Sequence, residues 1–431
     1  MESIRAKFTY EYVTNSIEQG LIEDINAVFP DLSGLTLLQI AAFNKDTKLV
    51  DYLLRKGADI NAKYQCCDSR FGLAIILNNL RTMTSLVNHG ADTYVLNELP
   101  LDVDEYYESM SESHPDLISV STILLSDRCA FTTRPLNIAI NQMNVKMVEL
   151  LLKNNADPNP KADSNGAPLI IAAIKGNLTI MELLLAYGAD VNVVKKDIKE
   201  SPLHIVVLSR NRRAVELLLN HDTIDINMVT ESKESALHYG MNYTMDDNII
   251  RQLLDADINI NLKNSEGETA FTSRLNYSET VNDTITEHIA KCSAANFYLD
   301  EEILAVVNSE KFDELYDQCI SEIEKMKTTF FRTSTVTYHY VLYTKCVHKL
   351  ALKLKYFSDS SSTYLDWDIR SIFPLYGGMM TYRLKKALRR KELFFNAIDL
   401  TNDIFDELEL PSIFTRDVFK FLTNEDLKKL Q

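Results

Sequence analysis

Apolar positions along this chain come in short runs with a helical period. Leu53-Leu54, Leu151-Leu152, Leu183-Leu184-Leu185, Leu217-Leu218-Leu219 and Leu253-Leu254 each sit between polar flanks, which predicts helices with one apolar face. A second apolar segment precedes several of these runs and carries small pairs such as Ala41-Ala42 and Ala172-Ala173, which let a helix lie close against its neighbours. Pro135, Pro168 and Pro202 stand where such a helix begins, since a first-turn residue needs no N–H donor. Gly57, Gly90 and Gly188 stand where the second helix ends, in the left-handed conformation that glycine adopts at least cost. The predicted unit is a helical hairpin. One hairpin cannot bury its apolar face alone, so the units must stack.

The hairpins repeat. Gly57-Ala-Asp-Ile-Asn61, Gly90-Ala-Asp92, Asn155-Ala-Asp-Pro-Asn159 and Gly188-Ala-Asp-Val-Asn192 share one ending, with steps of 33 residues from Gly57 to Gly90 and from Asn155 to Gly188. Upstream lie Thr36-Leu-Leu-Gln-Ile-Ala-Ala42, Arg134-Pro-Leu-Asn-Ile-Ala-Ile140, Ala167-Pro-Leu-Ile-Ile-Ala-Ala173, Ser201-Pro-Leu-His-Ile-Val-Val207, Ser235-Ala-Leu-His-Tyr-Gly-Met241 and Thr269-Ala-Phe271. Motif, period and order together resemble the ankyrin repeat over roughly residues 31–290. The resemblance implies an all-α solenoid of about six clear and two degenerate repeats, with residues 1–30 as N-terminal capping helices. It also implies a structural role for His204 and His238, whose imidazoles hydrogen-bond backbone near the turn.

Departures from the pattern are local. Asn155 replaces glycine, a substitution that the left-handed region tolerates. The endings Asn220-His-Asp-Thr-Ile-Asp-Ile-Asn227 and Leu253-Leu-Asp-Ala-Asp-Ile-Asn-Ile-Asn261 contain no glycine, and Ser69-Arg-Phe-Gly-Leu-Ala74 is a weak opening. The 65 residues from Gly90 to Asn155 leave room for a degenerate repeat at about 99–132. Its start holds Glu98, Asp102, Asp104, Glu105, Glu108, Glu112 and Asp116 without an intervening Lys or Arg. That run reads either as a solvated acidic loop or as a contact surface for a basic partner.

Beyond about residue 291 the repeat stops and helical patterning continues. Phe312, Leu315, Tyr316, Cys319, Ile320 and Ile323 mark one face of a helix; further helices are predicted at about 337–356 and, after the Gly377-Gly378 break, at about 379–397. Arg383, Lys385, Lys386, Arg389, Arg390 and Lys391 fall among Leu384, Ala387 and Leu388. They read as the solvated basic side of an amphipathic helix, as a nuclear-localisation or phosphate-binding face, or as a face that binds the acidic surface of a partner.

The segment Ile320-Ser-Glu-Ile-Glu-Lys-Met-Lys327 and the end Glu409–Leu427 resemble the PRANC domain, found behind ankyrin repeats in poxvirus, parasitoid wasp and intracellular bacterial proteins. Residues 291–335 would then be a helical linker and 336–431 the domain, with an F-box-like end at 409–431. The resemblance implies docking on the Skp linker protein of a cullin ubiquitin ligase through Leu410, Pro411, Ile413, Phe414, Val418, Phe419, Leu422, Asp426 and Leu427. Locally, Pro411 can start a helix striped by Phe414, Val418 and Leu422, and Thr423 can cap a short one at about 424–430. Ser412-Ile413-Phe414 departs from the acidic-Ile pair commoner after Leu-Pro. Such a terminal hairpin must be covered either by the preceding helices or by a partner.

Composition narrows the function. The 431 residues include only 12 Gly and 10 Pro, about 3% and 2% against typical usage of about 7% and 5%, which disfavours sandwiches and barrels with frequent turns. The net charge of −16 argues against nucleic acid as a partner. No apolar run suits a membrane span and no signal peptide is legible at the N-terminus. Six cysteines without a CxxC pattern read as free thiols in a reducing cytoplasm, with a vicinal Cys66–Cys67 disulfide as a minor alternative. No phosphate-binding glycine motif, metal spacing or nucleophile elbow is legible, and His339 and His348 form no metal pair, so no enzyme and no cofactor is expected. The expectation is a cytoplasmic adaptor for host signalling or immune factors, with nuclear entry open. Its target would bind at hairpin tips bearing Lys63, Tyr64, Gln65, Lys161, Asp163, Asn165, Lys195, Lys196, Asn264 and Glu266. The alternative is an ankyrin decoy that sequesters a signalling protein.

Overall fold

The structure, a computed structural model, describes residues 8–29, 35–44, 46–59, 80–90, 135–160, 166–273, 278–306, 310–332, 334–354, 365–407 and 422–429. The chain divides into two compact units, Met1–Asp197 and Ile198–Gln431.

Unit 1 opens with α1 (Tyr10–Glu18), capped by the Thr9 hydroxyl, which accepts from the Tyr12 N–H. It is the one helix among the described residues of the predicted N-terminal cap. Strands β1 (Val28–Phe29) and β2 (Leu35–Thr36) follow as an antiparallel pair with Val28 opposite Thr36, a small addition to an otherwise helical fold. Then come α2 (Leu37–Phe43), α3 (Thr47–Arg55), α4 (Leu80–Asn88), α5 (Pro135–Asn141), α6 (Val145–Lys153), α7 (Pro168–Lys175) and α8 (Leu178–Ala186). Helices α5 and α7 pack side by side, as do α6 and α8, so two layers build up repeat by repeat. The acidic run at 98–116 and the degenerate repeat around 99–132 lie outside the described residues.

Unit 2 continues the repeat with α9 (Pro202–Leu208), α10 (Arg212–Leu219), α11 (Ala236–Tyr239), a π-helical turn at Gly240–Thr244, and α12 (Asp247–Asp255). Four hairpins turn in the same way. One residue adopts positive φ, at Met143, Gly176, Arg210 and Met245, and the next caps the second helix. Asn144, Asn177, Asn211 and Asp246 accept from the N–H three residues on, at 3.1–3.2 Å. The second helix then buries three or four apolar side chains, such as Ile249, Ile250, Leu253 and Leu254 in α12. Each such side chain contributes roughly 1.5–3 kcal/mol relative to exposure. The predicted left-handed ends are present: φ is 90° at Gly57, 83° at Gly188, 64° at Asn155, and also 62° at Asp257.

Thr269-Ala-Phe271 opens no further hairpin. Residues 269–273 form a turn that buries Ala270 and Phe271, and Thr272 Oγ1 takes the Thr269 N–H at 2.8 Å. After it come α13 (Glu279–Ala294), α14 (Glu301–Val306), α15 (Glu310–Thr328), α16 (Tyr338–Tyr343), α17 (Val347–Lys353), α18 (Leu365–Ile372), α19 (Gly377–Glu407) and α20 (Asn424–Lys429). Two expectations need correction. The helix expected at 337–356 is two helices broken at Thr344–Cys346, and the one expected at 379–397 spans 31 residues from Gly377. The glycines are its start, not a break before it. Glu322 accepts the N–H groups of Leu375 and Tyr376 there at 3.1 and 3.3 Å, and a Cβ on Gly378 would overlap the Asp255 carboxylate. Cys319, Ile323, Phe331, Phe373, Tyr376 and Met380 form the core of this helical part, and the Tyr376 hydroxyl donates to the Lys291 carbonyl at 2.7 Å.

Candidate interaction surface

Successive repeats are riveted at two levels. At the helix starts the Ser201 N–H donates to His204 Nδ1 at 3.3 Å, which fixes the other ring nitrogen as the protonated one; Nε2 then donates to the Glu234 carbonyl of the next repeat at 3.2 Å. Ser235, His238 and the Glu268 carbonyl repeat this arrangement at 3.1 and 3.2 Å. Both rings are buried, and burial pushes His204 down to about 4 and His238 in the same direction, so both are neutral at neutral pH. At the hairpins, Asn159 Oδ1 accepts from the Asp190 N–H and Asn227 Oδ1 from the Asn259 N–H, each at 2.7 Å. This accounts for the Asn that closes the endings at Asn159 and Asn227.

The tips follow from this register. Glu231 N–H donates to the Ile198 carbonyl at 3.0 Å and Ser265 N–H to the Ser232 carbonyl at 2.9 Å, which aligns three tips along unit 2. Among the sequence-predicted tip residues, Lys196 and Glu266 are exposed, while Lys195 and Asn264 are half-buried. Asn264 Oδ1 accepts from the Glu266 and Glu268 N–H groups and so shapes its own turn. Lys63, Tyr64, Gln65, Lys161, Asp163 and Asn165 lie outside the described residues.

One part of the surface has no counterpart among the sequence-predicted residues. From helix cap to helix cap, Ser201 to Asn211 is ten residues, whereas Ser235 to Asp246 is eleven. The additional residue is taken up by the π-helical turn Gly240–Thr244, a form that recurs at functional sites. It leaves Tyr243 54% exposed, with its hydroxyl 3.3 and 3.4 Å from the Glu234 carboxylate. The buried Tyr239 ring meets Tyr243 edge-on at 5.2 Å and His204 at 5.1 Å, and its hydroxyl donates to Glu200 at 2.8 Å. The eleven-residue interval was the available signal.

The basic run on α19 is not a solvated face. Arg383 is buried and forms two bonds to Asp257, at 2.6 and 2.7 Å, beneath which lies the Phe297 ring. Arg389 pairs with the buried Asp222 at 2.8 Å, and Arg370 on α18 with Asp255 at 3.1 Å. Buried Arg390 donates to Asn424 Oδ1 at 3.0 Å and to the Leu422 carbonyl. Lys386 lies over the Tyr382 ring, and burial lowers its pKa. The two repeat endings without glycine, at 220–223 and 255–257, supply the acids that grip these helices. Asp257 therefore holds a glycine-type conformation because its carboxylate is needed.

Of the proposed Skp-docking residues, Leu410, Pro411, Ile413, Phe414, Val418 and Phe419 lie outside the described residues. Leu427 is fully buried against Phe394, Ala397 and Ile398, with Leu422 half-buried beside it. Asp426 and Thr423 cap α20 reciprocally: Asp426 Oδ2 takes the Thr423 N–H at 2.9 Å, and Thr423 Oγ1 takes the Asp426 N–H at 3.2 Å. Leu427 thus belongs to the chain's own core in this conformation.

His288 and Cys292 lie 3.4 Å apart on α13. Burial pushes the thiol up to about 12 and the imidazole down to about 3, so at neutral pH neither is ionised. Among the described residues no group of His, Cys, Asp and Glu is placed to hold a metal ion, and no helix is long and apolar enough to cross a membrane.

Comparison with known proteins agrees with this geometry. Residues 33–64 match the ankyrin-repeat family model, and residues 113–195 and 169–264 match the model for ankyrin repeats in three copies. The chain is 27% identical over 131 residues to a putative ankyrin repeat protein of fowlpox virus, FPV230, covering 30% of this chain and 69% of that one. It is 34% identical over 83 residues to a putative ankyrin repeat protein of Rickettsia bellii, covering 18% of this chain and 49% of the relative. Among solved structures it is similar to the ankyrin repeat domain of Bcl-3, at TM-score 0.45 and 21% identity over 59% of this chain and 99% of that one. It is also similar to that of human ASB11, at TM-score 0.41 and 17% identity over 57% and 96%. The chain carries ankyrin repeats, a scaffold whose extended surfaces bind proteins.

Proposed function

We propose that this ankyrin-repeat chain is a non-enzymatic cytoplasmic adaptor: its repeats select a target protein, and its C-terminal segment presents that target to a Skp–cullin ubiquitin ligase. The targets fitting such a role are host signalling or immune proteins. The observation that supports presentation is the linkage through α19. This helix is paired to Asp257 and Asp222 of the repeats, and through Arg390 it holds Leu422 and Asn424. A target held on residues 198–270 and a ligase subunit held on residues 422–429 would thus stand in a fixed geometry, which favours transfer of ubiquitin. The Leu410-Pro411 to Asp426-Leu427 pattern supports the identity of the docking partner.

A second reading is favoured by one specific feature. Leu427 is buried within the chain, as it would be if the terminal helices only capped the solenoid and the repeats acted as a decoy. Capture from host cell lysate separates the two. An adaptor recovers Skp protein with the full chain and not with a chain ending at residue 408; equal recovery by both refutes Skp docking through the tail.

A further inference from the structure

We infer that the surface made by Tyr243 and Glu234 on the π-helical repeat, with buried Tyr239 behind it, is a docking site for an arginine-bearing segment of a partner protein. This rests on the protein-binding role of the repeats and names the chemistry of what they bind in unit 2.

Tyr243 is the largest exposed side chain on this repeat's first helix, and the π-helical insertion puts it there. Its ring is 54% exposed and stands beside a carboxylate that its own hydroxyl orients. The donors around the Glu234 carboxylate are the hydroxyl of Tyr243 and the amide of Asn242, and no ion pair among the described residues includes it. Behind them Glu200 accepts from Tyr239. The residue before the helix cap is glutamate in three successive repeats, Glu200, Glu234 and Glu268, so negative charge recurs at one level of the stack. His204 and His238, which pack against the same layer, are neutral and add no positive charge there.

These features fit a guanidinium better than other groups. A planar cation can stack on an exposed tyrosine while its N–H fork meets a carboxylate, and the two contacts lie within one side chain's reach here. An acidic segment would face Glu234 directly. An apolar segment would leave that half-buried carboxylate covered without a counter-charge.

Fluorescence anisotropy of labelled hexa-arginine titrated with the full chain in 150 mM NaCl tests this, with hexaglutamate as the control peptide. Four variants separate a site from diffuse attraction to a chain of net charge −16: Tyr243→Leu, Tyr243→Phe, Glu234→Gln and Glu301→Gln, the last an exposed acid on α14. The expected result is that Tyr243→Leu and Glu234→Gln each weaken binding at least fivefold, while Tyr243→Phe and Glu301→Gln stay within twofold of the parent. Equal affinity across all variants, or equal losses for Glu234→Gln and Glu301→Gln, overturns the proposal, as does no binding by the parent chain. Circular dichroism of each variant confirms folding, and the contrast of Glu234→Gln with Glu301→Gln keeps the proposal falsifiable if Tyr243→Leu unfolds. Skp capture by the same variants reports on the tail alone, so failure here and failure of the adaptor reading are distinguishable.

Discussion

Asp257→Gly is the substitution on which the energetics of unit 2 turn, because two physical arguments give it opposite signs. At φ 62° the residue occupies a conformation that suits glycine, and glycine stands at the corresponding repeat ends, Gly57 and Gly188. Restoring glycine relieves about 1 kcal/mol of backbone strain. Against that, Asp257 makes both bonds to Arg383, whose side chain is only 6% exposed. Removing one partner of a buried pair leaves an uncompensated charge, at about 3–5 kcal/mol. The net expectation is a loss of about 2–4 kcal/mol, confined to the joint between α12 and α19. Hydrogen exchange on the full chain reads this locally: amides in 249–256 and 380–390 should exchange about 30-fold faster or more, with residues 168–186 unchanged. Adding Arg383→Met removes the orphaned charge while keeping bulk, and should restore most of the protection. Unchanged or increased protection in Asp257→Gly would refute the claim that the ion pair, rather than chance, keeps an aspartate at this position.

Two further outcomes follow from the same geometry. Folding lowers the pKa of His204 from 6.5 to about 4, so the stability tied to its neutral form is fully present above pH 6.5 and is lost as pH falls from 6.5 towards 4, by about 3 kcal/mol in total; His238 shifts in the same direction. Urea midpoints between pH 7 and 5 should fall more steeply for the parent than for His204→Gln, and identical slopes would refute the assignment. Gly188→Ala meets open space and costs about 1 kcal/mol through its positive φ alone, whereas Gly378→Ala drives a methyl group into Asp255 and should lower the melting temperature far more; equal shifts would show that α19 does not approach α12 this closely.

The solenoid was legible because its signals are local. A cap residue, a proline in the first turn, a left-handed glycine and an apolar face each act within a few residues, and the period multiplies them. His204 and His238 were legible for the same reason: each imidazole meets its own cap three residues back. The basic run on α19 was misjudged because its partners are remote in sequence. Arg383 finds Asp257 across 126 residues, and nothing near Arg383 distinguishes a helix face that docks from one that is solvated. Likewise Asp222 and Asp257 looked like a degraded glycine motif until their carboxylates were seen in ion pairs. Tyr243 was overlooked because a one-residue insertion passes for noise in a repeat, although it changes which side chain faces outward. The Gly377-Gly378 pair reads as a break before a helix, whereas the structure uses Gly378 for close approach to Asp255.

The adaptor claim is tested most directly by protein abundance. Cells expressing the full chain, or a chain ending at residue 408, would be compared by quantitative proteomics with and without proteasome inhibition. The account predicts a small set of proteins that fall with the full chain, recover under inhibition, and are unaffected by the truncated chain while still captured by it. Targets captured by both forms whose abundance never falls would contradict ligase recruitment and leave the repeats as a decoy.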